Sequence, residues 1–88
     1  MDEAKREKAM IKAKKVKALR KATGLSQAKF GEMLSIPVAN ISFWEVGRTS
    51  PPDYALGLLQ EVLKYRGYDV DLSEFDERGT VNAKENSI

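Results

Sequence analysis

Gly24, Pro37, Gly47, the pair Pro51-Pro52 and Gly67 cut this 88-residue chain into segments that leave room for short helices and little else. A glycine in the left-handed conformation closes a helix, and a proline fits a first turn, where its missing N–H costs little. From Met1 to Thr23 there is neither Pro nor Gly, and nearly every residue is a helix former. Ala13, Val16, Leu19, Arg20 and Thr23 recur at three- and four-residue steps, which predicts a buried stripe along the later turns of a first helix. Met1 to Lys12 offers only Met10 and Ile11 for packing, so these residues are expected to fray or to fold on a partner.

Ser26 stands at an N-cap position, and Phe30, Met33 and Leu34 mark the buried face of a short second helix that ends near Ser35. Ile36 precedes a proline and is pushed to an extended conformation, which gives a turn of about three residues. A third helix follows, with Ile41, Trp44 and the edge residue Val38 at core spacing and Ala39, Asn40 and Phe43 facing outward, until Gly47 ends it. In the fourth, Ser50 is the expected cap, Pro51 opens the first turn and Asp53 stands three residues on from Ser50. Ala55, Leu58, Leu59 and Val62 form its expected core stripe, leaving Leu56, Leu63 and Tyr65 as a dimer surface. Pairing through Tyr68 to Leu72 is the alternative. Beyond Gly67, Tyr68 to Leu72 alternates like a strand, Ser73 to Asp76 fits one helical turn, and Thr80 to Ile88 is polar and expected to be disordered. The fold class is therefore all-α, a small bundle of four to five helices with a weakly ordered C-terminal tail. Its expected divisions are a basic helical extension or arm (1–14), a helical domain (15–67) and an acidic segment (68–88).

Charge is distributed unevenly. Residues 1–29 hold ten Lys or Arg against three acids, and residues 67–88 hold two against six, within a net charge of only +2. A basic head favours a polyanion, although a solvated lysine-rich helix face would look the same. The chain has no cysteine and no histidine, which removes thiolate and imidazole chemistry, and no Gly-rich phosphate loop precedes a Lys-Ser or Lys-Thr pair. We read no enzyme, no cofactor and no metal site from it. Cysteine usage suits a reducing interior, so the cytoplasm is the expected compartment, and no apolar run approaches a membrane span.

Two short helices across a three- to four-residue turn are the helix-turn-helix, which lays its second helix against base edges in the major groove. Ser26 and Gln27 at a helix start, where amides and the dipole favour an anion, suit a DNA phosphate, and Ser26 suits simple capping equally. Lys29, Arg48 and Thr49, together with Lys14 and Lys17, are further phosphate candidates. Gly31 lets the two helices approach closely, and Ile41 and Trp44 are core residues by spacing.

Leu19-Arg20-Lys21-Ala22-Thr23-Gly24-Leu25-Ser26-Gln27, then Phe30-Gly31, Leu34-Ser35-Ile36, Asn40-Ile41-Ser42 and Trp44-Glu45-Val46-Gly47-Arg48 closely resemble the Xre or phage Cro/C1-repressor family over roughly residues 15–66. The resemblance implies a lambda-repressor-like fold and a sequence-specific transcriptional regulator, a repressor, that binds double-stranded operator DNA as a homodimer. It places Val38, Ala39, Asn40 and Phe43 at base-reading positions in the helix Pro37–Val46, with core packing or a dimer surface as the other roles open to Val38 and Phe43. Asn40 can pair with adenine, and the apolar residues can meet thymine methyls. It also implies an Arg20–Glu45 bridge between the first and third helices. Pro37 stands where the family has a Ser or Thr cap, a loss of about 1 kcal/mol, and Ser35 replaces a frequent turn glycine. Small members of the family also act as antitoxins. That alternative would have the segment Asp69 to Glu77, with Leu72 and Phe75 as anchors, or the arm Met1 to Lys12, neutralise a protein toxin while the helix-turn-helix autoregulates the operon.

Overall fold

A computed structural model describes residues 3–75 and shows four helices followed by one 3₁₀ turn. The longest, α1 (Glu3–Thr23), buries Ala13, Val16 and Leu19 along one stripe and ends at Gly24. Thr23 Oγ1 fastens that end, donating to Arg20 O at 2.6 Å and accepting from Leu25 N at 3.1 Å. Among the described residues of the first dozen, the expected fraying is not seen. Helical geometry runs back to Glu3, because Met10 and Lys12 pack on the chain that joins the third and fourth helices.

The second and third helices are α2 (Gln27–Leu34) and α3 (Val38–Glu45). Ser26 caps α2 by accepting Lys29 N at 3.2 Å. At the other end Ser35 takes the left-handed conformation, φ 59°, which L-residues other than Gly, Asn and Asp seldom adopt. The turn has a second unusual demand at Gly31. A Cβ there would lie 2.5 Å from the Ile36 carbonyl oxygen, a backbone atom, so no larger residue fits without moving the turn.

In α4 (Asp53–Tyr65) the structure corrects both the start and the buried face. Ser50 does not cap this helix. Ser50 and Pro51 each precede a proline and are disfavoured from helical geometry, so the helix cannot begin until Pro52 has passed. Its core residues are Leu56, Leu59 and Leu63, whereas Leu58 and Val62, expected inside, are exposed. Apolar residues cover more than half of this helix, and two stripes one residue apart satisfy the same periodicity.

Phe30 and Ile41 join Val16, Leu19 and the α4 leucines in one core. The segment after Gly67 completes it. It forms no strand. Leu72 is buried, Tyr68, Val70 and Phe75 pack against the core, and the Gln60 side chain donates to Val70 O at 2.8 Å. The 3₁₀ turn Ser73–Phe75 lies against α1, begun by Asp71 Oδ1 accepting Ser73 N at 3.0 Å. Leu72 and Phe75, the anchors that a toxin-binding arm would use, are thus engaged with the chain's own core. Asp76, Glu77 and the polar run Thr80 to Ile88 lie outside the described residues, as do Met1 and Asp2.

Candidate nucleic-acid interface

The sequence of α3 divides its surface cleanly. Ile41 and Glu45 are buried, Trp44 is half-buried against the core, and Val38, Ala39, Asn40 and Phe43 are exposed. At 100° per residue Ala39, Asn40 and Phe43 share the side opposite Ile41, while Val38 sits at the helix start on its flank. The exposed side carries no charge; the one ionised residue of the helix, Glu45, points inward. Pro37 provides no side-chain cap, so the N-terminus of α3 is fixed by the turn alone.

Glu45 is the hub that joins three helices. Arg20 of α1 meets it with two bonds, Nε to Oε2 at 2.7 Å and Nη2 to Oε1 at 3.0 Å, and donates a third to Leu25 O at 3.0 Å. Gln27 Nε2 of α2 adds a bond to Oε1 at 3.0 Å. Burial by itself would raise the Glu45 pKa. The bonds from Arg20 and Gln27 and the charges of Arg20 and Lys17 outweigh it and hold the carboxylate below its ordinary value. The same hydrogen bond raises the Arg20 pKa. A charge pair this well bonded repays its desolvation, and removing either partner would strand the other.

This hub also arranges the phosphate candidates. Because Gln27 touches Glu45, the start of α2 lies beside the C-terminal end of α3. Ser26 and Lys29 are exposed there, and Lys17 on α1 is near enough for its charge to act on Glu45. The Gln27 amide is engaged inside the protein, so what Gln27 offers an anion is its position in the first turn of α2. Arg48 and Thr49 are exposed just past α3 and fold back on it, donating backbone N–H groups to Phe43 O at 2.9 and 3.5 Å. The Arg48 guanidinium lies over the Phe43 ring, 4.8 Å from its centroid. The two residue sets read from the sequence, one for bases and one for phosphate, therefore meet at Phe43–Arg48.

Sequence reasoning missed that stack, the Gln27–Glu45 bond and the contacts of Met10 and Lys12. Only a five-residue separation hints at the first. Nothing local signals the others, which depend on how helices distant in sequence cross. Among the described residues no group of His, Cys, Asp or Glu could hold a metal ion.

Two short helices, α2 and α3, joined by a tight turn and fixed in angle by a buried charge hub, form a helix-turn-helix. The sequence model of the helix-turn-helix family matches residues 16–74, most of the chain. The chain belongs to the Xre/Cro-type helix-turn-helix family. No curated protein and no solved structure gives a significant match. The family's members are DNA-binding regulators and not enzymes, and this chain is a DNA-binding transcriptional-regulator domain. No helix among the described residues is long and apolar enough to cross a membrane.

Proposed function

We propose that this protein is a sequence-specific repressor of the cytoplasm that occludes a promoter by laying α3 into the major groove of operator DNA. The observation that carries this reading is the uncharged outer side of α3. Asn40 is its single amide and pairs with adenine, while Val38, Ala39 and Phe43 offer methyl and ring surface to thymine methyls, so the site leans toward A·T. Ser26, Gln27, Lys29, Arg48 and Thr49 supply phosphate contacts, which give affinity without discrimination.

Two copies bind together in this reading, with half-sites about 34 Å apart. The pairing surface is not Leu56 and Leu63, which are buried, but the opposite side of α4. Tyr54, Leu58, Val62 and Tyr65 form a stripe there, 72, 57, 40 and 95% exposed. Asp53 and Lys64 border it on one flank with Gly57 between them, where a Cβ would meet nothing within 4 Å. A mid-helix glycine costs about 1 kcal/mol, and no internal contact accounts for it. Antiparallel pairing of two α4 helices about Leu58 sets Asp53 of each copy against Lys64 of the other, with Gly57 leaving room on that flank, a self-complementary two-fold contact.

Selection of duplexes from a random DNA pool, with the winner's binding followed against salt, tests the reading. A two-fold-symmetric, A·T-leaning motif and a steep salt slope are expected. Failure to enrich any motif would refute it.

A further inference from the structure

The connection Val46 to Pro52 carries Arg48 and Thr49 and has little to stiffen it from within. Its first half is tied to Phe43, as described. Its second half is extended, since Ser50 and Pro51 both precede prolines, and its hold comes from a different part of the chain. Met10 of α1 reaches the start of the connection, at Gly47. Gly47 has φ +77°, and a Cβ there would stand 2.9 Å from Met10 Sδ, so the thioether rests directly on the loop backbone. Lys12, two residues on, closes the far end: its Nζ donates to Pro51 O at 3.0 Å and pairs with Asp53 Oδ1 at 2.6 Å. The Pro51 ring is fully buried, and a buried carbonyl without a donor is costly, so this ammonium satisfies a group that has no helical partner. Lys12 is thereby mostly enclosed, its side chain 22% exposed, whereas Lys5, Lys8 and Lys14 of the same helix are exposed and Lys15 is half-buried.

We infer that Met10 and Lys12 are positioning residues for DNA binding: the early turns of α1 clamp the α3–α4 connection so that Arg48 is presented to a phosphate in a fixed place. The basic extension acts within its own chain. The inference rests on the reading of Arg48 as a DNA contact. A loop that is ordered before binding loses less freedom on binding, so the clamp is felt as affinity.

A double-mutant cycle on Lys12→Met and Arg48→Ala tests it, using a labelled duplex that carries the selected motif and far-ultraviolet circular dichroism to show that all four proteins are folded. Lys12→Met should weaken binding about five-fold in the parent and have almost no further effect once Arg48 is Ala, because coupled residues are not additive. Lys12→Arg, which keeps charge and donors, should bind as the parent does. Additive losses would mean that Lys12 touches DNA itself, and an unchanged affinity would mean that the loop needs no clamp; either overturns the inference. Amide exchange without DNA separates this from the functional reading. Lys12→Met should speed exchange at Arg48 and Thr49 and leave the α1 and α4 amides protected, and unchanged protection there overturns the clamp. Faster exchange in a protein whose parent binds no duplex would leave the clamp standing and overturn Arg48 as its DNA contact.

Discussion

The outer faces of α3 and α4 are alike in being apolar and exposed, but they are supported differently. Behind α3 stand the Arg20–Glu45–Gln27 hub, the buried Ile41 and the close approach at Gly31, which fix the helix in angle and depth. Behind α4 stand three leucines, and its polar ties lie at its start and edge, Asp53 to Lys12 and Gln60 to Val70 O. A fully satisfied buried polar network rigidifies the elements it joins and specifies one arrangement of them. The proposed base reader, α3, has this kind of backing; the proposed pairing face of α4 has the other, with an exposed apolar stripe bordered by Asp53 and Lys64.

The sharpest way to break this contrast is to remove the hub. Glu45→Ala strands the Arg20 guanidinium, 18% exposed, and should cost about 3–5 kcal/mol in thermal unfolding. The hub should also be visible in acid. The folded pKa of Glu45 lies below its unfolded value, so its contribution is complete above the ordinary carboxylate pKa of about 4.3 and fades as pH falls through the lower folded value. Urea midpoints measured from pH 7 down to pH 3 should fall in the parent, and that part of the fall should be missing in Glu45→Ala.

Leu58→Glu attacks the other face. It should halve the mass seen by sedimentation equilibrium and reduce operator affinity to that of a half-site, with base preference and monomer stability unchanged. A dimer that survives it would take the pairing surface away from α4. Next in size, Asn40→Ala should relax preference at one base position by about 1–3 kcal/mol, whereas Arg48→Ala should weaken all sequences alike and lower the salt slope by about one unit. If Asn40→Ala reads DNA as the parent does, the outer side of α3 is not the reader. The smallest change is at the turn that aims α3. Ser35→Gly relieves the left-handed strain and should stabilise by up to about 1 kcal/mol, measured by chemical unfolding.

The helix-turn-helix was legible because its signals are local. Ser26, Gly31, Pro37 and Gly47 act on their own turns, and their effects do not depend on the rest of the fold. The stripe of α1 was legible for a related reason, since Lys and Arg surround its few apolar residues and leave one choice of face. α4 offered no such contrast. With leucines at 56, 58, 59 and 63, its rotation is chosen by what lies opposite, and that is set by α1 and the late segment together. Met10, Lys12 and Leu72 were misjudged for the same reason. Each looks peripheral beside its neighbours in sequence, and each finds its partner on an element far along the chain. In the interface, residue types pointed to bases and phosphate, but the Phe43–Arg48 stack that joins the two sets needed the path of the loop.

Leu72 has a consequence for the making of this protein. It fills the last gap in a core whose first members, Val16 and Leu19, leave the ribosome early, and the turn that follows it rests on α1. A nascent chain that has reached only Gly67 carries all four helices and still has an open seam, so closure must wait for the segment that follows. The domain's earliest and latest parts thus close one core together, and a chain stopped before Leu72 would keep all four helices and leave that core open.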